Sequence, residues 1–305
     1  MHHRMWLTGG GHDSRGRLSI ASTRQVPVVV RSSRTFTTAL MTRYPALAPL
    51  HFAIPAADGL ILRGTLTYPH GHVGTKYPLA VLAHQYPSTH DSFMPFCADL
   101  HALGIATLAF DLRGHGKSIW TTSGALVAPT PAEPNMAAFG EAFMGSAASV
   151  GFSHIADDIV RVTAWGMYQN FIDADRVLLV GASVGGTGVL LAAPRIEKAV
   201  RAIVTFGAAG APAHSNDAQE RIRENCKALA MPMLLASSEK DPFGGAAHIS
   251  EWGKGLKHVT AAIIPGDDHG MAIYYAVRSE VLAFVKKQFP PTVRGRPLPR
   301  RKEGR

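Results

Sequence analysis

Cysteine is nearly absent from this sequence. Cys97 and Cys226 are the only two among 305 residues. Neither sits in a C-x-x-C or Cys/His spacing, which excludes a disulfide framework and a thiol-based zinc site. Each reads as a small apolar residue, and their scarcity points to a reducing compartment, taken as the cytoplasm. Long apolar runs are absent too: no stretch reaches the roughly 18 residues of a membrane-spanning helix. Val26–Val30 is too short for the apolar region of a secretory signal. There is no internal repeat and no G-x-x-x-x-G-K-[ST] phosphate loop. His70-Gly71-His72 and His2-His3 lack a third ligand in their regions, so no metal and no other cofactor is expected. Gly9-Gly10-Gly11 is compositional.

Acidic residues are scarce at both ends, and this decides how the net charge of +9 is read. Residues 1–50 carry seven arginines against Asp13, and residues 290–305 carry five arginines and Lys302 against Glu303. The two ends together hold +11, which leaves the body between them at −2. A nucleic-acid-binding domain would carry its basic stripe on the folded body, so nucleic acid is not an expected partner. Residues 1–44 are rich in Arg, Ser and Thr and nearly free of acid, as transit peptides are. The reading adopted is a basic, disordered extension over 1–48, with translation from Met41 as one variant. Organelle targeting stays open as the alternative to the cytoplasm. The Pro/Arg-rich stretch 290–305 reads as a disordered tail.

What is present between these ends is regular. His51–Pro55 and Leu60–Tyr68 flank Asp58-Gly59, a hairpin signature. Short apolar runs follow at Pro78–His84, Ile105–Asp111, Arg176–Val180, Ala199–Phe206, Met233–Ser237 and Val259–Ile264. Continuous Val/Ile/Leu runs of this length are the mark of parallel strands buried on both faces. Helical patterns alternate with them: Asp91–Leu103, His154–Gln169 with Ser153 as N-cap, Val184–Ala193, Ser215–Leu229, Gly244–Leu256 and Met271–Phe289. The pattern predicts one α/β domain over 49–289, with helices on both faces of a mostly parallel sheet of about eight strands. One connection, 119–152, is too long for a simple turn. It is either a surface loop with a short helix or a flap that walls a pocket.

Three positions carry chemistry. Gly181-Ala182-Ser183-Val184-Gly185-Gly186 follows a strand and precedes a helix, the context a G-x-S-x-G nucleophile elbow requires. Ser183 is therefore the expected nucleophile. A serine hydroxyl needs a base. His269, in Gly266-Asp267-Asp268-His269-Gly270 after the last strand, lies on the same rim of the sheet and is assigned that role. Asp241, after the strand Met233–Ser237, is the acid expected to orient the imidazole. Glu239 is the runner-up; Asp267 and Asp268 read as loop-capping residues. The backbone N–H groups of Val184 and Tyr86 are the expected oxyanion donors, with Gln85 as the alternative to Tyr86.

These motifs, with Asp111-Leu112-Arg113-Gly114-His115-Gly116-Lys117-Ser118, resemble the α/β-hydrolase family over roughly residues 50–288. The likeness is greatest to its short esterase-like and dienelactone-hydrolase-like members, which implies a fold with no large cap domain. About 25 residues between Phe206 and Met231 leave room for one helix only. In the family the R-G-H-G stretch is structural, so His115 is not the base. Gln85 stands where the family's oxyanion loop commonly has glycine, which allows its side chain to enter the site. Dienelactone hydrolases proper use a cysteine nucleophile, so that activity does not follow from Ser183. The resemblance implies a serine hydrolase acting on a carboxylic ester, a small molecule. Thioester or peptide cleavage is the alternative, and a non-catalytic binding protein is the rival that a missing triad member would have signalled.

Overall fold

The computed structural model describes residues 47–70, 76–128, 136–210 and 216–290. Apart from Leu47, Ala48 and Pro290, the expected extension 1–48 and tail 290–305 lie outside the described residues. Eight strands form one sheet: β1 Leu50–Pro55, β2 Ile61–Thr67, β3 Tyr77–Ala83, β4 Ala106–Phe110, β5 Ile172–Ala182, β6 Val200–Phe206, β7 Met233–Ser238 and β8 Val259–Ile264. Their spatial order is β1-β2-β4-β3-β5-β6-β7-β8. The β1–β2 and β2–β4 pairs are antiparallel, and every other pair is parallel.

The strands are buried for the reason their sequences suggest. Every residue of β3 and β4 is buried. Side chains alternate across the sheet, so Leu79 and Val81 join one core layer while Ala80 and Leu82 join the other. A Val or Leu taken out of water at such a position contributes about 1.5–3 kcal/mol. The first layer is covered by α3 Ile155–Met167, α4 Val184–Ala192, α5 Asn216–Ala228 and α6 Gly245–Gly253, through residues such as Ile159, Val189, Ile222 and Trp252. The second is covered by α1 Met94–Ala102 and α7 Ala272–Gln288, through Phe96, Tyr274 and Val281. Helices therefore lie on both faces. Between β6 and β7 the described residues hold α5 alone, and no large cap domain is inserted.

The long connection is structured where described. Trp120 bridges Leu126, and Thr121 bridges Leu60 of the β1–β2 turn. The helix α2 Met136–Ser146 follows, then a π-turn over Ala147–Gly151 and a 3-10 turn over Phe152–His154 that run directly into α3. This corrects the expectation for Ser153. It lies inside the 3-10 turn, and the residue that takes the N-cap position of α3 is His154, whose side chain makes no capping bond. The buried Arg113 anchors this entry. It makes a bidentate pair with Asp158 (Nε–Oδ2 2.7 Å, Nη2–Oδ1 3.1 Å) and also donates to Asp58 and to the Val150 carbonyl. Burial opposes its charge, but Asp158 and Asp58 outweigh that and hold the guanidinium above its usual range.

Candidate active site

The chain runs from β3 to β4 on one side and then crosses back to β5 on the other. Ligands in such sheets bind at the carboxyl ends of strands flanking the reversal. Ser183 follows β5 there, and Gln85 and Tyr86 follow β3.

Ser183 has φ 50° and ψ −121°, and among the described residues it alone has a positive φ without being glycine. Holding a side chain in that region costs about 1–3 kcal/mol, so the surroundings must enforce it. They do so with hydrogen bonds and with missing side chains. Ser183 N–H donates to the Phe206 carbonyl at 2.9 Å, and its carbonyl accepts from Ala209 and Thr187 N–H. A Cβ on Gly181 would stand 2.3 Å from the Gly185 carbonyl oxygen, and one on Gly185 would stand 2.1 Å from that of Ala83. The glycines of the elbow are thus required by close backbone approach. Val184 opens α4 and is buried.

His269 sits in the loop after β8. Its Nδ1 lies 2.9 Å from Asp241 Oδ2 and 3.1 Å from Oδ1. The Asp241 side chain is fully buried beside it. Oδ1 also accepts from Phe243 N–H at 2.9 Å, and Oδ2 accepts from the Ser237 hydroxyl at 3.2 Å. A carboxylate can only accept, so Nδ1 carries the proton and Nε2 of the neutral ring is left as the basic atom. The Phe243 ring packs 4.5 Å from the imidazole. Ser238 donates to the Asp268 carbonyl and ties the end of β7 to the histidine loop. Glu239, Asp267 and Asp268 are exposed, and the imidazole's carboxylate partner is Asp241.

Ser183 and His269 open onto one cavity of about 160 Å³. Three apolar side chains of α2, Phe139, Phe143 and Met144, help to wall it, so the long connection supplies part of the pocket. Sequence reasoning missed these residues and Phe243. The available signal was the i, i+4 spacing of Phe139 and Phe143, obscured by a segment with one charged side chain, Glu141.

Tyr86 lines the same cavity, its ring packed edge-on against Phe139 and Phe143. Gln85 does not enter the site as the sequence allowed: its side-chain oxygen accepts from Met271 N–H at 3.0 Å, in the histidine loop. His84, fully buried, accepts the Leu112 N–H at Nε2 (2.9 Å), so its Nδ1 is protonated and donates to the Gln85 carbonyl (2.7 Å). Burial, and then the nearby His115, push this imidazole down to about 3 and keep it neutral. Among the described residues no group of three or more His, Cys, Asp or Glu could hold a metal ion, and no helix is long and apolar enough to cross a membrane.

The sequence model of the family described as alpha/beta hydrolase fold matches residues 78–230. Two curated relatives from Escherichia coli, each described as an uncharacterized 31.7 kDa protein in the traX-finO intergenic region, are 29% identical over 150 residues. That is 49% of this chain and 42% of theirs, so the match spans less than half of those relatives. Similar solved structures include the dienelactone hydrolase from Anabaena variabilis (19% identity, TM-score 0.53, 79% of this chain and 97% of that one). A serine hydrolase without lid from Xanthomonas campestris gives 17% and 0.53, over 82% of this chain and all 100% of the other. Est1E from Butyrivibrio proteoclasticus with ferulic acid bound gives 18% and 0.56, over 78% and 98%. At these identities the likeness is one of fold.

Proposed function

The chain belongs to the α/β-hydrolase fold family, and from that premise we propose that it is a serine hydrolase cleaving a carboxylic ester through an acyl-enzyme. The observation that carries the reading is the pairing at the cavity: a serine held at φ 50° on a strand-to-helix turn, and a histidine whose Nδ1 is held by a buried aspartate. Ser183 Oγ attacks the acyl carbon while His269 Nε2 takes its proton. Asp241 stabilises the imidazolium that forms. The tetrahedral oxyanion accepts hydrogen bonds from the N–H groups of Val184 and Tyr86. His269 then gives its proton to the leaving alcohol oxygen, and a water activated by the same base releases the acid.

Two features support the donor assignment. Val184 N–H stands at the start of α4, where the helix field favours negative charge. The Gln85–Tyr86 peptide is trans. In a trans peptide C=O and N–H point in opposite directions. With the Gln85 carbonyl held by His84, the Tyr86 N–H is aimed away from His84.

Thioester or amide cleavage would use the same groups. The described residues of the cavity wall are mainly apolar, with no lysine, arginine or acid among them, which suits a neutral acyl substrate. The free thiols Cys97 and Cys226 support a cytoplasmic location, and the catalytic unit is taken as residues 49–289. The experiment is a turnover screen with neutral esters, thioesters and amides, with acid-quenched protein weighed during turnover. The expected result is ester hydrolysis with an acyl adduct on Ser183, absent from Ser183→Ala. Turnover by Ser183→Ala at the wild-type rate would refute the mechanism.

A further inference from the structure

Gly140 lies inside α2, where glycine is less favourable than alanine because it gives up more backbone freedom on folding. Packing gives two other helix glycines a reason to be there. A Cβ on Gly166 would stand 2.7 Å from Leu108 Cδ2, and one on Gly188 would stand 2.6 Å from Ile155 Cγ2. Gly140 has no such reason. Its φ is not positive, and among the described residues an ideal Cβ there meets nothing within 4 Å. Yet Gly140 lines the cavity shared by Ser183 and His269. The open space beside it is where a substrate would lie.

The rest of the wall defines what fits. Phe139, Phe143 and Met144 flank Gly140, and Tyr86 and Phe243 complete the apolar lining. Among the described residues the polar side chains that face it are Ser183 and His269, and no Lys, Arg, Asp or Glu lines the cavity. Its volume is about 160 Å³. An engineered apolar cavity of about 150 Å³ in another protein takes up benzene. Aromatic walls also meet a ring favourably edge-to-face.

We propose that Gly140 is a specificity-determining residue: its missing side chain keeps room for a neutral, single-ring aryl group of the substrate beside the scissile ester. This rests on Ser183 being the nucleophile. Filling the space with one methyl group should act as a missing or extra methylene does in other enzyme pockets, about 10-fold or more in kcat/KM.

The test compares wild type, Gly140→Ala and Gly140→Leu on three esters. Benzyl acetate carries the ring on the alcohol side, ethyl phenylacetate carries it on the acyl side, and ethyl acetate has none. Wild type should prefer at least one ring-bearing ester over ethyl acetate. That preference should fall about 10-fold or more in Gly140→Ala and further in Gly140→Leu, while the melting temperature of Gly140→Ala rises by about 2 °C. A preference unchanged within about 2-fold in both variants overturns the proposal, as does a Gly140→Ala protein that fails to fold, since its Cβ would then not face open space. A fluorophosphonate probe separates the two levels. Labelling of Ser183 in all three proteins with unchanged ester preference sinks the role of Gly140 alone. No labelling of Ser183 in any of them removes the nucleophile on which the role depends.

Discussion

Gln85 Oε1 accepts the backbone N–H of Met271 at 3.0 Å, across 186 positions of sequence. The bond joins the loop after β3, which carries Tyr86, to the loop after β8, which carries His269. A Cβ on Gly270 would stand 2.7 Å from the Gln85 side chain, so the two loops are packed as well as bonded. Gln85 thus reaches across the site and ties the Tyr86 loop to the His269 loop.

If Gln85 positions His269, its loss should slow chemistry more than binding. Gln85→Ala should lower kcat by about 10- to 100-fold, the scale on which small misplacements of reacting groups act, with KM little changed. Gln85→Glu retains an oxygen able to accept the Met271 N–H and should lose less. Steady-state kinetics on one ester decide the matter. Wild-type kcat in Gln85→Ala would show that the histidine loop holds its place without the brace.

Asp241 should be indispensable among the four nearby carboxylates. Asp241→Asn leaves a carboxamide that can donate to Nδ1 and so stabilise the wrong tautomer; kcat should fall by about 10⁴. Glu239→Gln, Asp267→Asn and Asp268→Asn alter exposed side chains and should each stay within about 3-fold. Measuring kcat for all four variants ranks them. A severe loss in one of the other three, with Asp241→Asn near normal, would move the role to that residue.

The sequence carried the sheet and the elbow because both are local. The run Pro78–His84 differs from β3, Tyr77–Ala83, by one residue at each end, and Met233–Ser237 is β7 short of Ser238. Ser183 was legible because the steric demands on Gly181 and Gly185 fall within a few residues of it. The placement of β2 against β4 was not legible, nor was the reach of Gln85 to Met271, because both depend on partners brought together only by the fold. The range of the helix α2 within the connection 119–152 was hidden for another reason. Its length Met136–Ser146 holds a single charge, Glu141, so no polar face contrasts with the apolar one.

Stability should fall with acid in a window shared by three imidazoles that burial depresses, His101, His115 and, most strongly, His84. The folded value of His84 is depressed to about 3 from an ordinary 6.5, so the stability it contributes is complete above 6.5 and drains as pH falls towards 3. Asp111 follows the same sign lower down. Burial opposes its ionisation, but hydrogen bonds from His90 and Lys117 outweigh it and hold it at about 2, so its loss falls between 3.8 and 2. His90 is shifted upward, chiefly by its bond to Asp111, and its contribution is lost only on the alkaline side of 6.5. From pH 6.5 to 5 His84 alone should therefore contribute on the order of 1 kcal/mol per pH unit to the slope. Urea titrations at pH 7, 6 and 5 measure it. His84→Gln should be less stable throughout but show a flatter dependence; an unchanged slope would place the titrating group elsewhere.

The proposed mechanism requires that the His269–Asp241 pair activate Ser183. The most direct test is covalent: wild type, Ser183→Ala and His269→Ala are treated with a fluorophosphonate, digested, and the modified peptide identified by mass spectrometry. A single adduct on Ser183 is expected in the wild type, none in Ser183→Ala, and labelling slowed at least about 100-fold in His269→Ala. Equal labelling of all three proteins, or an adduct on another serine, would contradict that mechanism.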